Sequence, residues 1–445
     1  MQSSVRQEFK HTLRLSIPIT IGVVCQGLFG IIDTVMIGNI IGEHALAAAT
    51  LGNNIIWVPL LLVIGLCVAV PVLTAQARGA GNPEAVPGVL RHGLLISLIA
   101  SVLGAALLCA FISADGLRLL GQPEVTCREA ENYTYIVALS IPLAGIFQAI
   151  KSFRDANGSQ WISLTWTLFG LGANIFLNWV LMTGALGFPN WGLEGAAAGT
   201  LFSRALSTIG ITFHERLSFE FRKGFSFTEI RKNLRIAVPS TFHILFEAGL
   251  FIITPFFMGW ISAAAIAANQ VVMMISTLVY SFPLGLAQAL SIRVGEAYGA
   301  RDYSRIRKIF GGALFFTLLF MLICAFVFIR FRNEIPLLCN LGPDAAKMAS
   351  SLMLVVCAYM LFDGFQTISA GVLRGINDVR IIAVAAFVSY WIIGCPVALI
   401  LGFPLGMEGL GIWIGLAAGL ATIACILGWR IHKDLQAGTE NPAIL

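Results

Sequence analysis

The chain has 445 residues, of which 58% are hydrophobic and only 11% are charged, and its mean hydropathy is +0.86. Soluble globular chains carry about 25% charged residues, so this composition excludes a soluble protein and indicates one that crosses a membrane many times. The net charge of +5 is small, and the basic residues fall at the ends of apolar segments, which indicates membrane orientation and not nucleic-acid binding.

Twelve apolar segments of the length that spans a bilayer, about 20 residues, follow one another along the chain. The first begins after Lys10 and Arg14 and has no cleavage site behind it, so it is predicted to be a transmembrane helix and not a signal peptide. The twelve predicted helices centre on residues 15–38, 46–73, 93–113, 133–150, 161–183, 195–213, 236–258, 263–290, 309–329, 348–373, 381–401 and 409–429.

The distribution of basic residues predicts how these helices are oriented. An even number of helices places both termini on one side of the membrane. All but five of the 28 Lys and Arg residues fall on that side, and the exceptions are Arg118, Arg128, Arg330, Arg332 and Lys347. By the positive-inside rule, both termini are predicted to be cytoplasmic.

The sequence divides into two similar halves. A polar stretch at residues 214–235 is predicted to be a cytoplasmic linker between a six-helix lobe at 1–213 and a second six-helix lobe at 236–445, which ends in a cytoplasmic tail. Motifs recur at an offset of about 220 residues: QARGAGN (76–82) resembles EAYGARD (296–302), and LGFPNWGLEG (186–195) resembles LGFPLGMEG (401–409). Repeats of six helices enter the membrane in the same direction and are related by an axis along its normal, as in secondary transporters.

Few ionisable residues lie deep in the predicted helices. They are Asp33, Glu247 and Asp363, with Arg204 and His243 nearer the helix ends. Acids inside a membrane are costly and are functional candidates for that reason. No deep Lys or Arg is expected to pair with all three acids. This makes it less plausible that the acids serve only to stabilise the fold through ion pairs.

Two of these acids belong to the second lobe, Glu247 on the seventh helix and Asp363 on the tenth, with Tyr359 one turn before Asp363. Two carboxylates that share a low-dielectric space hold a proton or a cation such as Na⁺. Because carboxylate and hydroxyl oxygens suit a hard cation, Glu247 and Asp363 are a candidate Na⁺ site. His243, one turn before Glu247, either orients this carboxylate or lies near the membrane edge without a chemical role, and we expect the second.

The third acid, Asp33, is not a repeat copy of Glu247, because the first lobe has Gln26 at the position that corresponds to Glu247. Each lobe is therefore predicted to have its own acidic site. On the fifth helix, Asn174 and Asn178 are four residues apart and face the same way. They either hydrogen-bond Asp33 or serve as polar contacts between packed helices.

Methionine and aromatic residues are candidates to line a cavity for flat, apolar cations. In a chain with 31 Phe, each such residue alone is more often lipid-facing or part of the core, so none is singled out. The candidates are Met36, Trp57, Met273, Met274, Tyr280, Phe282, Phe362 and Phe365. An intramembrane aspartyl protease and an ATP-driven pump are excluded as functions, because the sequence contains neither GxGD nor GxxxxGK[ST].

Over essentially its whole length the sequence resembles the multidrug and toxic compound extrusion (MATE) transporters, and its three acids resemble the NorM-type branch. The similar segments are IIDTVMIGNIIGEHALAAAT in the first helix, LFEAGLF and AAIAANQV around the seventh, SFPLGLAQALSIRVGEAYGARD in the eighth and SAGVLRGINDVR at the end of the tenth.

The resemblance implies a MATE fold of two lobes arranged as a V, in the bacterial cytoplasmic (inner) membrane. It implies an antiporter and not an enzyme. Such an antiporter exports organic cations by alternating access while Na⁺ or H⁺ enters the cell. It is expected to be a monomer and to need no cofactor. Position by position, Glu247, Asp363 and Tyr359 match the second-lobe cation site, and Asp33, Asn174, Asn178 and Thr200 match the first-lobe site.

Two points stay open beside this interpretation. Some relatives have Asp where this chain has Asn178, so the charge of the first-lobe site is lower here and direct Na⁺ binding to it is in doubt. The alternative function is a lipid-linked-sugar flippase of the same superfamily. Its cavity is expected to carry Arg and Lys for a pyrophosphate, whereas the deep charges of this chain are acidic.

Overall fold

A computed structural model describes residues 5–120, 123–214, 224–339 and 341–440. Within these ranges the chain is almost entirely helical and contains no β-strand, so the predicted all-α class is confirmed. Residues 215–223 of the predicted linker and residues 441–445 of the predicted tail lie outside the described residues.

The long helices of the first half follow the predicted windows. They are α1 (Val5–Ile40), α2 (Glu43–Gly79), α3 (Pro83–Ser113), α4 (Glu124–Ala138 and Ile141–Ala156), α5 (Gln160–Thr183) and α6 (Gly192–His214). The two pieces of α4 meet at a bend of 40°.

The second half repeats this order. Its long helices are α7 (Phe227–Gly259), α8 (Ala263–Gly299), α9 (Tyr303–Phe331), α10 (Pro343–Gly375), α11 (Val379–Gly402) and α12 (Glu408–Glu440). A five-residue helix, Glu334–Leu338, lies between α9 and α10.

Most of these helices are long and apolar enough to cross a bilayer. Ten in the described part of the chain meet this description, and the bent pair of α4 gives an eleventh span. Helix α6 has 23 residues, enough to span, but its Arg204 and several Ser and Thr residues lower its hydropathy. Each of the twelve predicted windows thus lies on a helix, and the chain is a polytopic membrane protein.

Side-chain caps explain where two of the helices begin. The Ser262 hydroxyl accepts a hydrogen bond from the Ala265 N–H at 3.0 Å at the start of α8, and Asp302 Oδ1 accepts one from the Arg305 N–H at 2.9 Å at the start of α9. Such caps satisfy N–H groups that have no partner inside the helix.

Helix α11 changes its winding in the middle. Residues Phe387–Gly394 form a π-helical segment, and Pro396, which follows in the next turn, has no N–H to donate to the α-helical ladder. A π-helical segment often occurs at a functional position because it shifts the side chains it carries. One of these side chains is Tyr390.

Glycine pairs let the fifth and sixth helices of each half approach closely. In α6, a Cβ at Gly195 would lie 2.5 Å from the Leu181 carbonyl oxygen of α5, and a Cβ at Gly199 would collide with Asn178. In α12, the corresponding contacts of Gly411 and Gly415 are with Leu401 and Ala398 of α11. Small residues four apart are typical of packed membrane helices.

The chain groups into two compact units. The first-half unit comprises Ile21–Ala77 and Asn82–Thr241, and the second-half unit comprises Met1–Thr20, Arg78–Gly81 and Phe242–Leu445, as far as these ranges are described. These units are groups of residues in mutual contact, whereas the predicted lobes follow from the sequence repeat. The division into lobes at the linker therefore stays a prediction.

Candidate functional site

The two acids of the second-half unit share one hydrogen-bond donor. Gln366 Nε2 donates to Glu247 Oε1 at 2.8 Å and to Asp363 Oδ1 at 3.2 Å. Asp363 and Gln366 are three residues apart on one face of α10, while Glu247 comes from α7. Asp363 is 5% exposed and Gln366 is fully buried. The structure therefore brings together the two acids that the sequence singled out.

Further oxygen atoms surround this pair of acids. The hydroxyl groups of Tyr280 on α8 and Tyr390 in the π-helical segment of α11 face Glu247, and the Thr367 hydroxyl lies 3.2 Å from Gln366 Nε2. Among the described residues, Tyr390 Oη and Gln366 Oε1 are buried atoms without a hydrogen-bond partner. Two carboxylates with nearby unpaired oxygens are a donor set that fits a hard cation.

Tyr359, the third residue predicted for this site, has other neighbours. It is 3% exposed and its hydroxyl interacts with Ser276 of α8. Its ring meets the Trp413 ring edge-on at 5.8 Å. No hydrogen bond joins Tyr359 to Asp363 in the described structure, although the two groups are close enough to interact electrostatically.

Arg374 is a buried charge near these acids, and it is the partner of His243. It lies on α10, is 8% exposed and interacts electrostatically with Glu247, so a buried arginine does accompany the acids. His243 is only 2% exposed and its Nδ1 lies 3.0 Å from Arg374 Nη2. His243 is thus held by a charged partner and is not an isolated residue at the membrane edge.

Gln366 and Arg374 were not predicted from the sequence, for different reasons. Gln366 is neutral, and a search for charges in apolar segments does not find it, although its spacing of three residues from Asp363 was a usable signal. Arg374 was assigned to the end of the tenth helix. It is eleven residues after Asp363, which is close to three helical turns and places both side chains on the same face.

The acid of the first-half unit is enclosed by neutral groups. Asn178 Nδ2 donates to Asp33 Oδ1 at 2.6 Å, and the Thr200 hydroxyl donates to Asp33 Oδ2 at 3.2 Å. Asn174 Nδ2 donates to the Thr200 hydroxyl at 3.3 Å. All four side chains are at most 5% exposed. Helices α1, α5 and α6 therefore meet at one carboxylate, which is the grouping that the family resemblance implied.

Arg204 lies near this cluster. It follows Thr200 by one turn on α6, donates to the Ser140 hydroxyl at 2.7 Å and interacts electrostatically with Asp33. The Asn174 and Asn178 carbonyl oxygens are buried without a hydrogen-bond partner among the described residues. The cluster thus has two spare oxygen acceptors beside its one carboxylate.

The aromatic and methionine candidates for a drug cavity are scattered. In the second-half unit, Tyr280 faces Glu247 and Phe282 packs against Phe320 with ring centroids 4.2 Å apart. Met274 and Phe362 are exposed. The described residues contain no group of three or more His, Cys, Asp or Glu that could hold a metal ion.

The chain matches a known family twice. The model of the MatE family matches residues 18–180 and again residues 239–400, and the two matches begin 221 residues apart. This offset is close to that of the repeated sequence motifs, so the repeat is present across both halves.

Relatives cover nearly the whole chain. The multidrug resistance protein NorM of Photobacterium profundum is 29% identical over 442 residues, which are 96% of each chain. The probable multidrug resistance protein NorM of Burkholderia mallei is 32% identical over 440 residues, 96% of this chain and 93% of that protein. The crystal structure of the eukaryotic MATE transporter AtDTX14 has the same fold, with a TM-score of 0.86 and 22% identity over 98% of this chain and 99% of that one.

Proposed function

Because the chain belongs to the MATE family and is of the NorM type, we propose that it exports small organic cations by antiport with Na⁺ or H⁺. Relatives of similar length carry the name multidrug resistance protein, which supports drug export. The observation that carries the coupling is the pair of acids, Glu247 and Asp363, that share Gln366 as a donor.

The proposed coupling follows from the charge of this pair. A cation that binds between Glu247 and Asp363 neutralises at least one carboxylate and takes the place of the Gln366 donor. Since α7 and α10 are joined through this donor, cation binding changes how the two helices are held together. Drug affinity falls in the cation-bound state, and the drug leaves on the outer side.

The membrane potential limits the stoichiometry of the exchange. Moving one charge through 100 mV yields about 2.3 kcal/mol, close to a 50-fold concentration gradient. Exchange of one cation for one monovalent drug cation moves no net charge and gains nothing from the potential. Exchange of two cations for one drug uses it, and the acids of the chain carry enough negative charge for such an exchange.

The remaining expectations are part of this proposal. The protein is an integral protein of the inner membrane with both termini in the cytoplasm, as the basic residues predict. It acts as a monomer, needs no cofactor, catalyses no covalent reaction, and has as its partners the lipid bilayer, a coupling ion and small organic cations.

Ethidium efflux from membrane vesicles tests the proposal. Vesicles that contain the wild-type protein are given a Na⁺ gradient or a pH gradient, and we expect one of the two to drive efflux. Glu247→Gln is expected to abolish it, because the coupling cation loses a charged ligand. The control is Glu334→Gln, since Glu334 is exposed and pairs with Arg330 at the protein surface. Absence of efflux of several dyes under both gradients would contradict the multidrug proposal.

A further inference from the structure

A row of polar side chains leads away from the two acids of the second-half unit. Gln366 contacts both Glu247 and Asp363, the Gln366 and His243 side chains interact with each other, and His243 contacts Arg374 at 3.0 Å. Arg374, His243 and Gln366 are all at most 8% exposed. We call these three residues the Arg374 chain.

The contact with Arg374 fixes the protonation of His243. A guanidinium group has only donors, so Arg374 Nη2 donates and His243 Nδ1 accepts. The imidazole is therefore neutral and carries its proton on Nε2. His243 Nε2 is buried, and no described group lies within hydrogen-bond geometry of it.

The unpaired atom of His243 is complementary to the unpaired atom of Gln366. Nε2–H is a donor, and Gln366 Oε1 is a buried acceptor that also lacks a partner among the described residues. The two side chains are close enough to interact, and the amide N–H groups bond to Glu247 and Asp363, so the amide oxygen is the end left to pair with His243 Nε2–H. The opposite orientation would set His243 N–H against the amide N–H and leave the carboxylates without their shared donor.

We propose that Arg374 and His243 are positioning residues that fix the direction of the Gln366 amide, so that its N–H groups hold Glu247 and Asp363 in the cation-free state. The Arg374 chain thereby sets how tightly the coupling cation binds. This inference rests on the proposed function, because it concerns the affinity of the same site.

The consequence is that the site binds the coupling cation more weakly than the two acids would without the Gln366 donor. The coupling cation must displace a donor that bonds to charged groups, and such bonds are stronger than bonds between neutral groups. Weak binding favours release of the cation on the inner side, which a transport cycle needs. The other titratable groups near the site are Tyr280 from α8, Tyr390 from α11 and Tyr359 from α10.

The test measures ethidium efflux in vesicles as a function of the cation that drives the wild-type protein, Na⁺ or H⁺. Gln366→Met removes the donor and is expected to lower the half-saturating cation concentration about tenfold, the factor that corresponds to a hydrogen bond with a charged group. His243→Leu leaves the amide free to turn and is expected to lower it about threefold or more. In both variants the maximal rate falls, because the cation leaves slowly.

Two further variants separate positioning from general damage. His243→Gln offers an oxygen to Arg374 and an N–H to Gln366, so it is expected to restore the wild-type concentration dependence. Trp391→Phe removes a hydrogen bond to the Phe246 carbonyl of α7 at 3.2 Å but leaves the Arg374 chain intact. It is expected to keep the wild-type half-saturating concentration.

The outcomes distinguish this inference from the proposed function. If the wild-type protein shows efflux but Gln366→Met and His243→Leu keep or raise the half-saturating concentration, the Arg374 chain does not oppose cation binding and the inference is wrong. Failure of His243→Gln to restore the wild-type value also overturns it. If neither gradient drives efflux by the wild-type protein, the proposed function fails first.

Discussion

The acidic sites of the two units differ in composition although the units share a sequence repeat. In the second-half unit, two carboxylates, Glu247 and Asp363, share one amide donor. In the first-half unit, one carboxylate, Asp33, receives hydrogen bonds from Asn178 and Thr200. We expect the site of the second-half unit, with its two acids, to attract a cation. In the site of the first-half unit, both oxygens of the single carboxylate already accept hydrogen bonds.

The difference arises on matching helices. Each site takes one acid from the first helix of its repeat, α1 or α7. In the first-half unit the partners come from α5 and α6, where Gly199 leaves room for Asn178. In the second-half unit, a similar close contact is made by Gly415 with Ala398, whose side chain has no polar group, and the partners come from α10 instead.

A repeated helix scaffold thus does not dictate a repeated site. The glycine contacts that pack the fifth helix of each repeat against the sixth are kept in both units, while the side chain that meets the glycine decides whether an acid finds a partner there. The two sites therefore have separate requirements and can be changed independently.

The largest expected difference between the sites is in cation binding. Asp363→Asn is expected to weaken binding of Na⁺ to the purified protein at least about 100-fold, since outer partners of a metal site alone contribute about 10–100-fold. Asp33→Asn is expected to change this binding by less than about threefold, because sites without shared partners act independently. Equilibrium binding of radioactive sodium measures both effects.

The same variants are informative if H⁺ is the coupling ion. In that case neither the wild-type protein nor Asp33→Asn binds sodium measurably. The number of protons taken up by the purified protein when the pH is lowered is then measured in place of sodium binding. Equal loss of cation binding in Asp363→Asn and Asp33→Asn would contradict the independence of the two sites.

A second carboxylate can be introduced beside Asp33. Asn178→Asp replaces a donor that lies 2.6 Å from Asp33 Oδ1 by a second acid, and two carboxylates at this distance need a proton or a cation between them. We expect Na⁺ to stabilise this variant by about 2.7 kcal/mol at 100 times its dissociation constant. Thermal unfolding with and without Na⁺, at equal ionic strength, measures the effect.

The matched control is Asn174→Asp, because Asn174 lies near Asp33 but donates its hydrogen bond to the Thr200 hydroxyl at 3.3 Å. It adds the same charge one helical turn away and is expected to show a smaller response to Na⁺. A response as large as that of Asn178→Asp would mean that added charge alone, and not its contact with Asp33, creates the cation requirement.

The acids could be predicted from the sequence because a charge in an apolar segment is conspicuous. Asp33, Glu247 and Asp363 all stand out in this way, and the spacing of Asn174 and Asn178 placed them on one face. The contact of Thr200 with Asp33 joins residues 167 positions apart, and only the family resemblance indicated it.

Tertiary contacts decided the rest of the site. Gln366 is important because α7 brings Glu247 to it, and nothing in the local sequence of α10 shows this. Tyr390 reaches Glu247 from a π-helical segment, a local change of winding that hydrophobic periodicity does not reveal. Arg374 and His243 were both assigned to helix ends, but each buries its charge or its polar atoms against the other.

The smallest expected effect concerns the glycines that the two units share. A Cβ at Gly199 or at Gly415 would collide with the facing helix, and overpacking of this kind costs about 1–3 kcal/mol. We expect Gly199→Ala and Gly415→Ala to lower the midpoint of thermal unfolding by similar amounts. Only Gly199→Ala should also lower efflux per folded molecule, because its methyl group displaces Asn178 from Asp33, whereas Ala398 contributes no polar group. A similar loss of efflux in Gly415→Ala would mean that close helix packing itself, and not the position of Asn178, limits transport.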